Sequence, residues 1–195
     1  SKGALKSKEL RDTANTETGN HIEISFQNKT ENSIQIPKRI VLKNDFMGIK
    51  NDYDKYLKSA EILKDVCRLL PEHEKNEKIF FNLIKTFKAI EEYDSSSIES
   101  IVIIFRITLL AHLGYLPSFN RCSICNRGSD YYAYSKESGP VCRDCMRLEK
   151  ESIILPKETR LFFEDVKDNL DDILAIKSEE LNSLQTVLSV IISQI

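Results

Sequence analysis

The sequence predicts an α+β fold, mainly α: a helical domain with an inserted four-cysteine module, preceded by a short β region. Three observations predict it. Between residues 21 and 42 apolar residues alternate with polar ones, which is strand period. From about residue 52 onward they recur at helical intervals. Cys122, Cys125, Cys142 and Cys145 form two Cys-x-x-Cys pairs with sixteen residues between them, a separation that reads as a zinc site. The 195 residues suffice for one large domain or two small ones. The change of period divides them into a β part, 1–50, and a helical part, 51–195, with the zinc module at 121–147.

Composition narrows the function classes. With 28 Lys and Arg against 30 Asp and Glu, overall charge announces no nucleic-acid binder, so any such surface is local. The opening SKGALKSKEL has no apolar h-region, and no signal peptide is read there. The run IVIIFRITLLAHL, 101–113, is very apolar but short for a bilayer span, and Arg106 and His112 interrupt it. A buried central helix is expected instead.

The elements follow in order. Residues 1–20 show no period; Lys2, Lys6, Lys8 and Arg11 stand against Glu9, Asp12 and Glu17. Two readings are open there: a solvated terminus or a loop that contacts phosphates. In HIEISF, Ile22, Ile24 and Phe26 alternate; 28–32, NKTEN, reads as a turn; Ile34 and Ile36 alternate again until Pro37 ends the run or marks a sheet edge. Ile40 and Leu42 give a further short strand. A helix from about 52 carries the stripe Tyr53, Tyr56, Leu57, Ala60, Leu63, Cys67 and Leu70, with Pro71 as its stop. A second, 77–92, places Phe80, Leu83, Ile84, Phe87 and Ile90 on one face. A third starts near Ser96, with Glu99 completing a capping box, and ends at Leu113 with Gly114 suited to the left-handed position and Pro117 beyond. DYYAYS is a short strand and Ser138-Gly139 a turn. Pro156 opens a helix to about 170, and a last helix begins near Ser178 with Glu179 and Glu180 in its first turn, where the dipole favours acids.

The cysteine spacing has a physical reason. A two-residue spacer lets both thiolates of a pair reach one ion from a tight turn. Four thiolates close a tetrahedral shell and leave no position for water, which makes the zinc structural rather than catalytic. Disulfides are the alternative, but nothing else in the chain suggests an oxidising compartment. Cys67, alone on a helical pattern, is expected to be a buried small hydrophobe. Arg121, Arg127, Arg143 and Arg147 crowd the module. They either balance the formal charge of about minus two on a four-thiolate zinc or form a patch for phosphates. Tyr131, Tyr132 and Tyr134 are candidate base-stacking groups, although at strand spacing one face is expected to be core.

The stretch FRITLLAHLGYLPSFNRCSIC, 105–125, resembles the bacterial RecO recombination-mediator family. The carrying residues are Phe105, Leu109 and Leu110, the turn Gly114-Tyr115-Leu116-Pro117, and Cys122 with Cys125. Downstream, Tyr134-Ser135 leads to Ser138-Gly139-Pro140-Val141 and then Cys142 and Cys145; Ser138 stands where the family pattern has a first Gly. The opening SKGALKSKEL is similar to a basic Lys-Gly segment of the family's N-terminal OB-fold. By that resemblance the strands at 21–42 close an OB-type barrel whose opening strands lie upstream of Ser1. The resemblance further implies a cytoplasmic, nucleoid-associated DNA-repair mediator. It would bind single- and double-stranded DNA, promote annealing, act with RecR and the single-stranded-DNA-binding protein, and so help load RecA. It implies one structural Zn2+ held by the four cysteines. DNA contacts are expected at Lys2, Lys6, Lys8, Arg11, Arg121, Arg127 and Arg143, with no catalytic residue and no membrane partner.

Two rivals are weighed. A zinc deaminase needs His-x-Glu upstream of Pro-Cys-x-x-Cys; the only such triplet, His21-Ile22-Glu23, lies in a strand pattern and no Pro precedes Cys142 directly. No P-loop, dinucleotide turn or nucleophile elbow occurs. His112 is expected to be a satisfied core histidine. The other rival is a zinc-stabilised helical scaffold that binds protein partners in apolar grooves without touching DNA.

Overall fold

The computed structural model describes residues 16–26, 37–72, 74–128, 132–156 and 178–195. Within them the fold is mixed, with helices outweighing strands. Strands β1 (His21–Phe26) and β2 (Pro37–Asn44) pair antiparallel, with Ile22 opposite Leu42 and Ile24 opposite Ile40. Pro37 is the first described residue of β2, a position that asks for no N–H from it. The NKTEN turn, Ile34 and Ile36 lie outside the described residues. Among the described residues this sheet is a two-stranded ladder and not a closed barrel.

A short helix α1 (Met47–Lys50) follows, entered through Phe46 in the left-handed region at φ 49. A bulky residue is rarely found there. Its ring is buried edge-on to Phe87, with centroids 5.4 Å apart, so packing holds the backbone in place. The helical body consists of α2 (Tyr53–Leu69), α3 (Glu77–Glu92) and α4 (Ile98–Leu113). Asp52 caps α2 by accepting from the amides of Asp54 and Lys55, and Asn76 caps α3 through the amide of Ile79. The α4 cap differs from expectation: Ser95–Ser97 form a 3-10 turn and Ser97 makes no side-chain cap bond. Glu99 instead pairs with Lys58 of α2 at 3.1 Å, so no capping box forms. At the other end Gly114 takes φ 76 as expected.

Helix α4 is the core. Ile101, Val102, Ile103, Phe105, Ile107, Leu109 and Leu110 are all buried, each such side chain stabilising the fold by roughly 1.5–3 kcal/mol. With its 3-10 turn the run Ser95–Leu113 has 19 residues and is long and apolar enough to cross a membrane by length and composition, longer than the sequence reading allowed. Its residues are spent instead on contacts with α2, α3 and the last helix. His112, expected to be a core histidine, is exposed. The helix is apolar nearly all round, so sequence alone did not fix which narrow strip meets solvent.

Helix α2 is rotated from its expected stripe. Tyr53, Tyr56, Leu57, Ala60 and Cys67 are exposed, Leu63 and Leu70 pack partly buried against the core as expected, and the fully buried residues are Ser59, Ile62, Asp65 and Leu69. Cys67 is therefore a surface thiol and not core. The reason is Arg106. Inside α4 it needs a counter-charge, and Asp65 supplies it from the facing side of α2. On α3, Phe87 and Ile90 are buried as expected, Leu83 and Ile84 partly so, but Phe80 is exposed and Ile79 takes the inward position.

The cysteine module interrupts the helices with a three-stranded antiparallel sheet in the order β4 (Gly139–Cys142), β3 (Tyr132–Ser135), β5 (Ser152–Leu155). A one-turn helix α5 (Arg143–Met146) follows β4. Helix α6 (Ser178–Gln194) packs on α4 and β5, with Leu184, Val187, Leu188, Ile191 and Ile192 buried. The helix expected at 156–170 lies outside the described residues after Pro156.

Candidate metal centre

The four sulfurs converge. Each lies within 4.8 Å of the other three. The first pair sits in a tight loop: Cys122 N–H donates to the Arg127 carbonyl at 3.1 Å, and Asn126 N–H donates back to Cys122 O at 2.9 Å. Asn126 takes φ 57, a left-handed turn that asparagine tolerates. The second pair uses a different device. Cys142 ends β4 and Cys145 lies three residues on in α5, so one helical turn brings the thiols to the same side. Ser123 N–H donates to Pro140 O at 2.8 Å and ties the two pairs together.

Burial and electrostatics describe the donor set. Cys122, Cys142 and Cys145 are 1%, 5% and 6% exposed, and Cys125 is half-buried. The Arg127 amide and then its side chain act on the Cys125 sulfur and push its pKa down to about 6. Burial raises that of Cys122, but the amides of Cys125, Cys142 and Ile124 outweigh it and the net shift is downward. Cys145 is pushed up to about 12 by burial and by the neighbouring sulfurs. Amide N–H groups aimed at buried sulfur are the surroundings of thiolates. Four thiolates this close repel one another unless a cation lies between them. The donor set therefore fits a metal ion and specifically a soft, tetrahedral one.

The expected contacts divide into three groups. Arg121, Arg127, Arg143 and Arg147 are exposed around the module. Arg127 faces two ways, acting on the Cys125 sulfur and standing 3.9 Å from Asp144. Lys2, Lys6, Lys8 and Arg11 lie outside the described residues, as do Tyr131 and the side chain of Tyr132. Tyr134 is buried against Phe119, 6.2 Å between centroids, and is no stacking platform.

One feature had no signal in the spacing. Glu149, just past α5, is clasped by the hydroxyls of Ser135 and Ser138, the latter at 2.9 Å. Ser135 Oγ in turn accepts from the amides of Glu137 and Ser138. The Ser138 that departs from the Gly pattern thus fastens the β3–β4 turn to the exit of the module.

Comparison with known proteins bears on the whole arrangement. The profile of the family described as Recombination protein O C terminal matches residues 51–194. The chain is 29% identical over 124 residues to the DNA repair protein RecO of Caldanaerobacter subterraneus, covering 62% of this chain and 49% of that protein. It is 26% identical over 123 residues to the DNA repair protein RecO of Thermodesulfovibrio yellowstonii, covering 63% and 48%. The chain thus spans about half the length of the curated relatives it matches. With three-quarters of its length matched by one profile, and the cysteine module inside that match, the chain belongs to the RecO family.

Proposed function

We propose that the protein is a non-enzymatic DNA repair and recombination mediator. It binds single- and double-stranded DNA and promotes annealing. It acts with RecR at gaps covered by the single-stranded-DNA-binding protein, and so helps to load RecA, in the cytoplasm at the nucleoid. The observation that carries this reading is the family match over 51–194. In this reading residues 1–50 are the C-terminal part of an OB-type barrel, 51–195 the helical domain, and 121–147 its zinc module. One Zn2+ is held by Cys122, Cys125, Cys142 and Cys145, and its role is to close the fold of the module. The DNA contacts are Lys2, Lys6, Lys8, Arg11, Arg121, Arg127 and Arg143. The exposure of Arg121, Arg127 and Arg143 around the module supports the second half of that set.

The test is binding of a fluorescent single-stranded oligonucleotide across a salt series, beside a chain extended upstream. A steep loss of affinity with rising salt, reduced in slope by Arg121→Gln, Arg127→Gln and Arg143→Gln, supports phosphate contact. No binding by either chain at low salt sinks the DNA reading.

A second reading has its own observation. The exposed residues Tyr53, Leu57 and Cys67 lie along α2, with Tyr56 and Ala60 beside them at a small cavity shared with Phe46, Ile49 and Phe87. A scaffold that binds partners by apolar contact uses such a face, and its complexes resist salt.

A further inference from the structure

The four cysteines are not equivalent. Three belong to a small buried cluster with Ala133 and Val141, and Cys125 packs at its edge, half-buried. The flank beside it is open, since Ile124, Asn126 and Arg127 are all exposed. Small polar solutes therefore meet the cluster first at Cys125. Its sulfur lies 3.8 Å from that of Cys142, across the two pairs. Cys142 is fixed in β4, whereas Cys125 rides on a turn, so the approach to bonding distance, about 2.05 Å, falls to the turn. The bond would close the loop of sixteen residues, 126–141, a size at which a disulfide is well supported by chain entropy.

We propose that Cys125 is a hydroperoxide-sensitive site whose oxidation product is a disulfide with Cys142. The proposal deepens the zinc reading of these cysteines and rests on it for one consequence, the loss of the ion. The Cys125 sulfur attacks one peroxide oxygen. The O–O bond breaks, the leaving hydroxide takes up a proton as water, and a sulfenic acid remains. The Cys142 sulfur then attacks the Cys125 sulfur. The S–S bond forms, the S–O bond breaks, and the second hydroxide leaves as water. The two cysteines give up one electron each and the peroxide takes both. Two of the four proposed ligands are thereby withdrawn from the centre.

The experiment uses the full chain carrying Cys67→Ser, which removes the exposed thiol outside the cluster. Zinc content is measured first. Hydrogen peroxide is then added in sub-stoichiometric steps, with released zinc read by a chromogenic chelator and disulfides mapped by mass spectrometry of non-reduced peptides. The expected result is one Cys125–Cys142 cross-linked peptide and two thiols lost for each zinc released, reversed by dithiothreitol with added zinc. Bonds within a pair, Cys122–Cys125 or Cys142–Cys145, overturn the proposal. So does a cluster that keeps its thiols under peroxide that fully oxidises Cys67 in the unsubstituted chain. If the purified protein holds no zinc, the metal reading fails by itself, and the disulfide map still decides the pairing.

Discussion

Arg106 of α4 donates from Nε to Asp65 Oδ2 of α2 at 2.7 Å, and both side chains are about nine-tenths buried. Glu61 stands 3.5 Å from the same guanidinium, and Lys58 joins Glu61 to Glu99. The pair sets the rotation of α2 against the core. Leaving one member of a buried pair without its partner is costly. Asp65→Ala should therefore lower stability by about 3 kcal/mol. The double replacement Asp65→Leu with Arg106→Met should recover most of that loss. Urea denaturation of the three chains checks both, and a loss under about 1 kcal/mol for Asp65→Ala would show that the pair is not what orients the helix.

Much of this was legible in advance, and the exceptions share a cause. The cysteine pairs, the turn at Gly114 and the buried run of α4 are each set by local chemistry, and they stand as the sequence implied. The face of α2 is not local. Two apolar strips run along that helix, one through Ile62 and Leu69, the other through Tyr53, Leu57 and Ala60. The choice between them is made by an aspartate and an arginine 41 residues apart. Cys67 follows the rejected strip to the surface. His112 went astray for the opposite reason, since a helix apolar on nearly all sides offers no contrast to read. At the candidate metal centre the cysteine spacing was visible, whereas the Ser135–Glu149–Ser138 clasp was not, because it depends on how a turn and an exit segment meet.

Gly114 offers a clean measure of backbone strain. It takes φ 76, and a Cβ there would meet nothing within 4 Å. Gly114→Ala should cost about 1 kcal/mol from conformation alone. At Gly48 a Cβ would come within 2.8 Å of Glu91 Cγ, while Gly48 N–H donates to the Glu91 carboxylate at 2.9 Å. Gly48→Ala should therefore perturb that contact without backbone strain. Thermal midpoints of the two variants separate the effects; equal losses relieved by Glu91→Ala in both would contradict this account.

Removal of the proposed zinc should be felt selectively. Purified without added metal, the protein should carry about one zinc per chain. A strong chelator should then abolish amide exchange protection in β3 and β4 and weaken it at the end of α6. Gln194 there accepts from the Tyr134 hydroxyl at 3.5 Å and donates to the Lys136 carbonyl. Helix α3 should stay protected. Uniform loss of protection over α3 and β3 would show that the module and the helical core unfold together.

The metal-free protein should show an unusual pH profile. Cys125 is held down to about 6 against an ordinary 9.0, so its contribution is complete above pH 9 and lost as pH falls through about 6. Cys145, pushed up to about 12, favours its neutral form and costs stability as pH rises from 9 toward 12. The thermal midpoint of the stripped protein should thus peak near pH 9. Ultraviolet thiolate absorbance should show a first ionisation near pH 6 that Cys125→Ser removes. A midpoint that climbs steadily as pH drops from 9 to 6 would contradict the assignment.

Ala133 and Tyr134 are neighbours in β3, yet they belong to different interiors: Ala133 joins the cysteines and Val141, and Tyr134 joins the helices through Phe119. A strand with two faces can have one re-clad while the other stays as it is. The cysteine side is too thin to hold by apolar contact alone, with Ala133 and Val141 as its only fully buried non-cysteine members among the described residues. Bulkier side chains at the four cysteine positions could take over the same tenancy without an ion. The helical side would register no difference, because Tyr134 and Leu155 would still present the same surface to it. The proposed metal would in this sense be an exchangeable filling beneath a fixed floor.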